Sequence, residues 1–374
     1  MPRTSLRIFA ASLAAAAVAH AVDFPLSSAV STYEQGAPFV IANSLTPDVQ
    51  GWGVYVDPPG PGGQFNPQTG VFTAASPVTS SSVAFTLDQF LGDSHHIQRF
   101  RLSFTTDAAP GFASAWTELA PQRLRSSGGV TLSDAGSNMI NAAGTSAGTS
   151  YQLLASGGIT GATGFRLELF PVDYDAGDTL PASLGRAFNG NLVLSQFKVS
   201  DRAAFNWALS GAVTPSAGTF AGFPASNLTD GNFSSFSHPD NPPAQLGFSY
   251  TINLGESLPI ALDSIQLANR NDGCCPERLR NYRVEVLDAA GAPVWSGAIR
   301  TDGSDSGVGG IDTVTAGNGA GTFEGNFVRI TNLSGEAYNP QVAEVQVFGA
   351  LVPEPSIVGL LAVAGAGLLA RHRR

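Results

Sequence analysis

The sequence predicts an all-β protein made of two consecutive antiparallel β-sandwiches, and three observations carry that expectation. Charged residues are only 13% of the 374-residue chain, whereas Gly and Pro number 43 and 24. Short bursts of Val, Ile, Phe, Thr and Ser, several with period-two alternation, lie between these turn formers as antiparallel strands do. Between the two chain ends lie about 330 residues, enough for two cores of ordinary size.

The first 21 residues stand apart. Arg3 and Arg7 form a short basic segment, residues 8–19 are an apolar run, and Ala19, His20 and Ala21 make a small-residue cleavage site. That order is a secretory signal peptide, with a run too short for a comfortable permanent span. The mature chain is expected to start near Val22, outside the cytoplasm.

Residues 22–199 read as the first sandwich. Strands are expected at 83–87, 99–105, 151–155, 164–170 and 191–199, with Phe100, Leu102 and Phe104 marking one face of the second. His95 and His96 are neighbours, and adjacent strand residues face opposite sides, so they read as the start of a strand and not as a metal pair. Glu168, Asp173, Asp175 and Asp178 read as a solvated acidic loop of the kind that can hold calcium, with no nucleophile or His nearby. Segments 92–103, 164–168 and 185–195 resemble β-sandwich modules of large secreted or envelope proteins of environmental bacteria. The resemblance implies a jelly-roll and no ligand.

A linker is expected at residues 200–203, and residues 204–349 read as the second sandwich, with strands at 248–254, 260–268, 282–287, 294–299, 327–331 and 342–348. No short-period repeat runs through the chain, which excludes a solenoid. Without its two ends the chain carries 14 Lys and Arg against 28 Asp and Glu, near −14. Nucleic acid and anionic membranes are therefore poor partners. The two cysteines, Cys274 and Cys275, are adjacent. A bridge between neighbours closes almost no loop of the unfolded chain, so a stabilising disulfide framework is excluded and the pair points to function.

Three pieces of the second sandwich belong together: Ala225 to Asn232 with Ser235 and His238; Asn269 to Leu279, with the cysteines between Arg270 and Arg278; and the closing strand from Gln341 to Gly349. Together they resemble the discoidin-like (coagulation factor type C), galactose-binding-like sandwich, and within it the fucose-binding branch, the fucolectins. The resemblance implies that His238, Arg270 and Arg278 hydrogen-bond a sugar while a ring formed by Cys274 and Cys275 packs on its apolar edge. Directed donors on a sugar's hydroxyls and a flat patch on its C–H face suit that chemistry. It also implies a structural calcium. The oxygens of Asn227, Asp230, Asn232 and Ser235, the Ala343 carbonyl and Glu344 are the expected ligands. This chain departs from the pattern in having Gly273 before the cysteines, a short loop from Asn232 to His238 and a long gap from there to Arg270. Intraloop ion pairs of Arg278 with Glu277 or Asp272 are the purely structural alternative.

The last residues, 352–374, place Pro353, Glu354 and Pro355 before an apolar stretch at 357–370 and a basic end of Arg371, His372, Arg373 and Arg374. This order resembles the PEP-CTERM sorting tail of Gram-negative exported proteins. The resemblance implies cutting by a membrane exosortase, transient anchoring in the inner membrane through an apolar helix, and a destination at the cell surface or in the extracellular matrix. The sequence holds no Gly-x-Ser-x-Gly elbow, no His-Glu-x-x-His and no Gly-rich phosphate loop, so the expected function is noncatalytic. A glycosidase needs only two carboxylates, a requirement the 28 acids meet on number alone. The function expected is carbohydrate binding, to fucose-like sugars of an exopolysaccharide. The alternative is a structural or adhesive matrix protein that binds other proteins.

Overall fold

In the strand Val83–Gln89 the side chains of Val83, Phe85 and Leu87 are buried, while Thr86 and Asp88 reach the opposite face, half-buried. This alternation repeats through most of the chain and makes sheets with one face to bury. The computed structural model describes residues 22–47, 50–56, 63–173, 181–240, 246–301, 307–334 and 340–352. The expected signal peptide and the sorting signal at Pro353, Glu354 and Pro355 lie outside the described residues. Among the described residues every strand pair is antiparallel.

The strands form two consecutive sandwiches. In the first, a sheet ordered Leu26–Ser31, Gln68–Ser80, Ile159–Leu169, Arg99–Thr105, Met139–Ala143, Thr131–Asp134 faces one ordered Gln196–Asp201, Val83–Gln89, Thr149–Ala155, Pro121–Ser126. Aromatic rings join the layers. Phe72 stacks on Phe197 with centroids 4.0 Å apart, and Phe85 meets Phe165 edge-on at 5.7 Å. Each such buried ring contributes about 1.5–3 kcal/mol of hydrophobic stabilisation. In the second, a sheet ordered Val213–Pro215, Ser249–Asn253, Phe327–Asn332, Tyr282–Leu287, Pro293–Gly297, Gly319–Gly321 packs on one centred on Ile260–Ala268. That central strand pairs with Ile311–Val314, Glu324–Gly325 and the closing strand Glu344–Leu351. Tyr250, Ile252, Val284, Val328 and Ile330 from the larger sheet bury against Ile265, Leu267, Val345 and Val347.

Some elements differ from the sequence expectation, each for a physical reason. Gln68–Ser80 is a long strand that the pattern conceals, because Pro77 and small residues fill its second half. Its register with Ile159–Leu169 shifts between Thr73 and Val78, and Pro is tolerated at such an irregularity. The stretch expected as one strand at 191–199 divides at Ser195. Leu192–Leu194 pairs with Trp52–Val54, and Gln196–Asp201 pairs with Val83–Gln89. Glu168 belongs to a strand and not to a loop: its carboxylate takes Arg101 Nε at 2.9 Å and Arg166 Nη2 at 3.1 Å. Asp175 and Asp178 lie outside the described residues. His96 is buried just before the strand Arg99–Thr105, where desolvation pushes its pKa down to about 4. Its neighbour His95 turns away to bond the Gly92 carbonyl through Nδ1 at 2.8 Å.

The connection expected as a linker at 200–203 is structured. Ser200 is buried within Gln196–Asp201, and Asp201 caps the short turn Arg202–Ala204 by accepting from Ala203 N–H at 3.1 Å. Phe205 and Trp207 then enter the second core, which also takes Ala84 and Leu154 from the first sandwich. Polar contacts reinforce this junction. Arg125 Nη2 donates to the Leu254 carbonyl at 2.8 Å, Arg123 Nε pairs with Glu256 at 2.6 Å, and Asn206 N–H donates to Gln152 Oε1 at 3.0 Å.

Candidate functional site

At one end of the second sandwich the strand Ile260–Ala268 runs into a loop that begins with Asn269 and Arg270. Asn269 is fully enclosed and organises the turn: its Oδ1 accepts Arg270 N–H at 2.9 Å and its Nδ2 donates to the Pro276 carbonyl at 2.9 Å. Between these anchors Gly273, at φ +80°, and Cys275, at φ +56°, both adopt left-handed backbone. Such backbone suits Gly but is uncommon for Cys, and it bends the chain sharply into the turn Pro276–Arg278. Cys274 and Cys275 are disulfide-bonded to each other, with Cys274 exposed and Cys275 half-buried.

Arg270 is 6% exposed, and its guanidinium is held in place. Nε donates to Asp272 Oδ1 at 2.7 Å, Nη2 bonds Asp272 Oδ2, and Nη1 bonds Gln341 Oε1. The Phe236 ring lies under the guanidinium carbon at 4.0 Å. Among the described residues three of the five guanidinium N–H groups are thus engaged and two are not. The Arg270 hydrogen bond holds the Asp272 carboxyl below the usual carboxylate range. Gln341 also ties in the second arginine, since its backbone N–H donates to the Arg278 carbonyl at 3.2 Å. Its side-chain Nε2 is buried with no hydrogen-bond partner among the described residues.

His238 stacks in a row of aromatic rings, 4.9 Å from Phe220 and 5.0 Å from Phe223, with Phe236 at 6.2 Å. Its Nδ1 lies 2.8 Å from the Pro239 carbonyl, which can only accept, so Nδ1 carries the proton of the neutral ring. Burial pushes its pKa below the ordinary histidine value, and the positive charges of Arg270 and Arg278 push it the same way. The fold therefore brings His238, Arg270 and Arg278 into one electrostatic neighbourhood, with the cysteine ring on the loop between the arginines. Asp272, Gln341 and the rings of Phe220, Phe223 and Phe236 complete it. Sequence reasoning gave Gln341 and the three rings no role, and Asp272 only that of an ion-pair partner for Arg278. Of the signals present, only the phenylalanines clustered around His238 marked the place.

Of the expected calcium ligands, the fold brings Glu344, Asp230, Asn232 and Ser235 together. Glu344 is fully buried and lies opposite Ala268 in register. Its Oε2 accepts Gly231 N–H at 3.1 Å, while Oε1 is buried with no partner among the described residues. Burial, and then the nearby Asp230 carboxylate, push the Glu344 pKa up to about 9. Asp230 accepts Asn232 N–H at 2.8 Å and the Ser235 hydroxyl at 2.8 Å, and its own pKa is raised by burial. Asn227 uses Nδ2 on the Phe236 carbonyl at 2.9 Å, and Ala343 N–H donates to the Ala268 carbonyl at 2.9 Å. Two carboxylates thus converge with no countercharge among the described residues, one of them with an orphaned oxygen. Among the described residues no group of three or more His, Cys, Asp or Glu gathers anywhere, so further ligands there would be amide, hydroxyl and carbonyl oxygens.

Comparison with solved structures finds likenesses to sugar-binding modules. The chain is similar to the lectin domain of lectinolysin complexed with Lewis B antigen, at 21% identity over 39% of this chain and 98% of that one, with a TM-score of 0.33. It is similar to an f-lectin (fucolectin) from Morone saxatilis (striped bass) serum, at 14% identity over 90% of this chain and 100% of that one, with a TM-score of 0.32. A Streptococcus pneumoniae fucose binding module shares 18% identity over 39% of this chain and 95% of its own length, with a TM-score of 0.31. No protein-family model matches the chain, and no curated protein matches it.

Proposed function

We propose that this protein binds carbohydrate noncatalytically at the Arg270 loop, taking a fucose-like sugar outside the cell. The observation that carries this reading is the Arg270 guanidinium, which Asp272, Gln341 and Phe236 hold in place while two of its N–H groups have no partner among the described residues. Preorganised donors lose little entropy when a ligand arrives, and charged donors make the stronger hydrogen bonds. Arg278 adds a second cationic side chain, His238 a neutral imidazole, and the Cys274–Cys275 ring a compact apolar surface for a C–H face. The buried, unpartnered Nε2 of Gln341 offers one more donor.

Calcium fits the acidic cluster. A divalent cation held by Asp230 and Glu344, with oxygens of Asn227, Asn232, Ser235 and the Ala343 carbonyl, would supply the positive charge that the orphaned Glu344 oxygen lacks. Glu344 and Asp230 would then both be ionised, and the loop carrying Asp230 would be tied to the closing strand. Export, cutting by an exosortase-type enzyme, transient membrane anchoring and an exopolysaccharide partner are proposed from residues 1–21 and 352–374 and from the acidic surface.

The test is binding of the purified chain to a glycan array with calcium, with chelator, and after mild reduction. Saturable binding to fucose-like sugars that weakens with chelator and reductant is the expected result. An array without a saturable response under any condition would overturn the sugar reading and leave an adhesive or structural matrix protein. Mass spectrometry of the secreted protein checks processing, with a start near Val22 and a C-terminus beside Pro355 expected.

A further inference from the structure

The outer face of the first sandwich's four-stranded sheet changes character along its length. Register sets its side chains in rows across three strands. Ala84 lies opposite Leu154 and Ser200, Thr86 opposite Gln152 and Lys198, and Asp88 opposite Ser150 and Gln196. The second sandwich covers the first row, packing Phe205 and Trp207 into the same cluster as Ala84 and Leu154. It leaves the next two open apart from Gln152, whose Oε1 accepts Asn206 N–H at 3.0 Å. Over them opens a cleft of about 380 Å³, whose far wall carries Phe233, Gln346 and Phe348. A neighbouring hollow of about 510 Å³ shares Phe90, Ser127 and Gly231 with it, so the groove continues past Phe90 toward Asn232.

The chemistry of this groove is mixed in a specific way. Its floor consists of the hydroxyls of Thr86 and Ser150, the Asp88 carboxylate and the Gln196 amide, with the Gln346 amide on the far wall. The amides of Gln196 and Gln346 make no hydrogen bond among the described residues. Each sandwich contributes an exposed phenyl ring, Phe90 at 51% exposure and Phe233 at 38%. An apolar ligand would strand both amides without partners and leave Asp88 with the Ser150 hydroxyl as its hydrogen-bond donor. A polyanion would meet Asp88 as a repulsive charge, and the lysine of the floor, Lys198, is already paired with Asp23 at 3.1 Å. A neutral, hydroxyl-rich molecule with C–H faces satisfies both the amides and the rings, and the volume suits a ligand of a few sugar units.

We propose that this interdomain cleft is a second binding site, which takes a neutral oligosaccharide chain by hydrogen bonds to Asp88, Gln196 and Gln346 and by stacking on Phe90 and Phe233. It does not depend on the Arg270 loop. Two sites on one chain would let the protein grip a polysaccharide at separate points and gain avidity.

The experiment is isothermal titration of the full chain with cello-, xylo-, manno- and laminarihexaose, carried out on the wild type and on Arg270→Ala. At least one hexasaccharide is expected to bind both proteins alike. Phe90→Ala should weaken that binding about tenfold, as loss of an aromatic stack does, and Gln196→Leu should weaken it independently. Both substitutions lie on the first sandwich, away from the Arg270 loop, so the L-fucose response should remain as in the wild type. The proposal is overturned if no hexasaccharide binds at about 1 mM. It is equally overturned if Phe90→Ala and Gln196→Leu, with unchanged circular dichroism, bind as the wild type does. Should Phe90→Ala fail to fold, Gln196→Leu decides alone.

Discussion

Two buried charges lie close together in the second sandwich and are treated in opposite ways. Arg270 follows Ala268 by two residues, and Glu344 lies opposite Ala268 on the closing strand. The guanidinium is bonded to a carboxylate and an amide and rests on a ring; the carboxylate has one backbone N–H and one orphaned oxygen. Burying a charge is costly unless partners replace its water. The protein supplies those partners for Arg270, which is therefore rigid and ready to donate. It leaves Glu344 incomplete, in a place where either a proton or a cation has to finish the job.

The largest expected effect concerns Glu344. In metal-free protein burial and Asp230 raise its folded pKa to about 9, above the ordinary carboxylate value of 4.5. Between these values the folded chain holds a proton that the unfolded chain has released, so stability should fall as pH rises through that window, by up to about 1.4 kcal/mol per pH unit. Urea denaturation in chelator should show this slope, calcium should flatten it, and Glu344→Gln should lose both the slope and the calcium response. A metal-free protein equally stable at pH 5 and pH 9 would show that Glu344 is already compensated.

Next is Arg270→Lys, which keeps the charge but loses the fork. Sugar binding on the array should fall about 100-fold, the loss of two charge-assisted hydrogen bonds. Stability should drop far less, because the Asp272 side chain is 39% exposed and can turn to water. If affinity survives, the arginine is a structural ion pair and the contrast with Glu344 disappears.

A smaller effect is expected from Cys274→Ser combined with Cys275→Ser. Binding should weaken about tenfold through lost contact with the sugar, while the urea midpoint hardly moves, since a ring between neighbours constrains little of the unfolded chain. The smallest effect is that of His238. Its pKa is depressed, so the neutral ring persists at pH 7 and binding should be level from neutral pH down to the ordinary histidine range. Below that range protonation should weaken binding, and stability should fall too, because the unfolded chain takes up the proton first. Titrating binding against pH in wild type and His238→Gln separates this from general acid effects.

Much of the fold was legible beforehand because strand periodicity is local. Arg99–Thr105, Ile260–Ala268 and Tyr282–Leu287 lie where alternation puts them. Gln68–Ser80 was not legible, because its alternation is broken by Pro77 at a register shift that only the partner strand reveals. The candidate site divides in the same way. Arg270, Cys274, Cys275 and Arg278 lie within nine residues, and their spacing alone draws attention to them. Asp272 was visible only as a partner for Arg278, yet the fold pairs its carboxylate with Arg270, two residues before it, a geometry that spacing alone does not specify.

By itself, then, the sequence determined the β class, the two-sandwich order, the acidity and the adjacent cysteines, all of which follow from composition and short-range pattern. Tertiary structure alone decided that Gln341 bridges the two arginines, that Glu344 meets Asp230, and that Gly231, at φ +75°, approaches Ser127 so closely that a Cβ there would lie 2.8 Å from the serine Cβ. It also decided that the second sandwich covers Ala84 and leaves Asp88 in an open cleft. Each of these juxtaposes residues far apart along the chain. Whether a buried polar group is satisfied, and whether a surface is covered, depends on what the fold brings across from elsewhere.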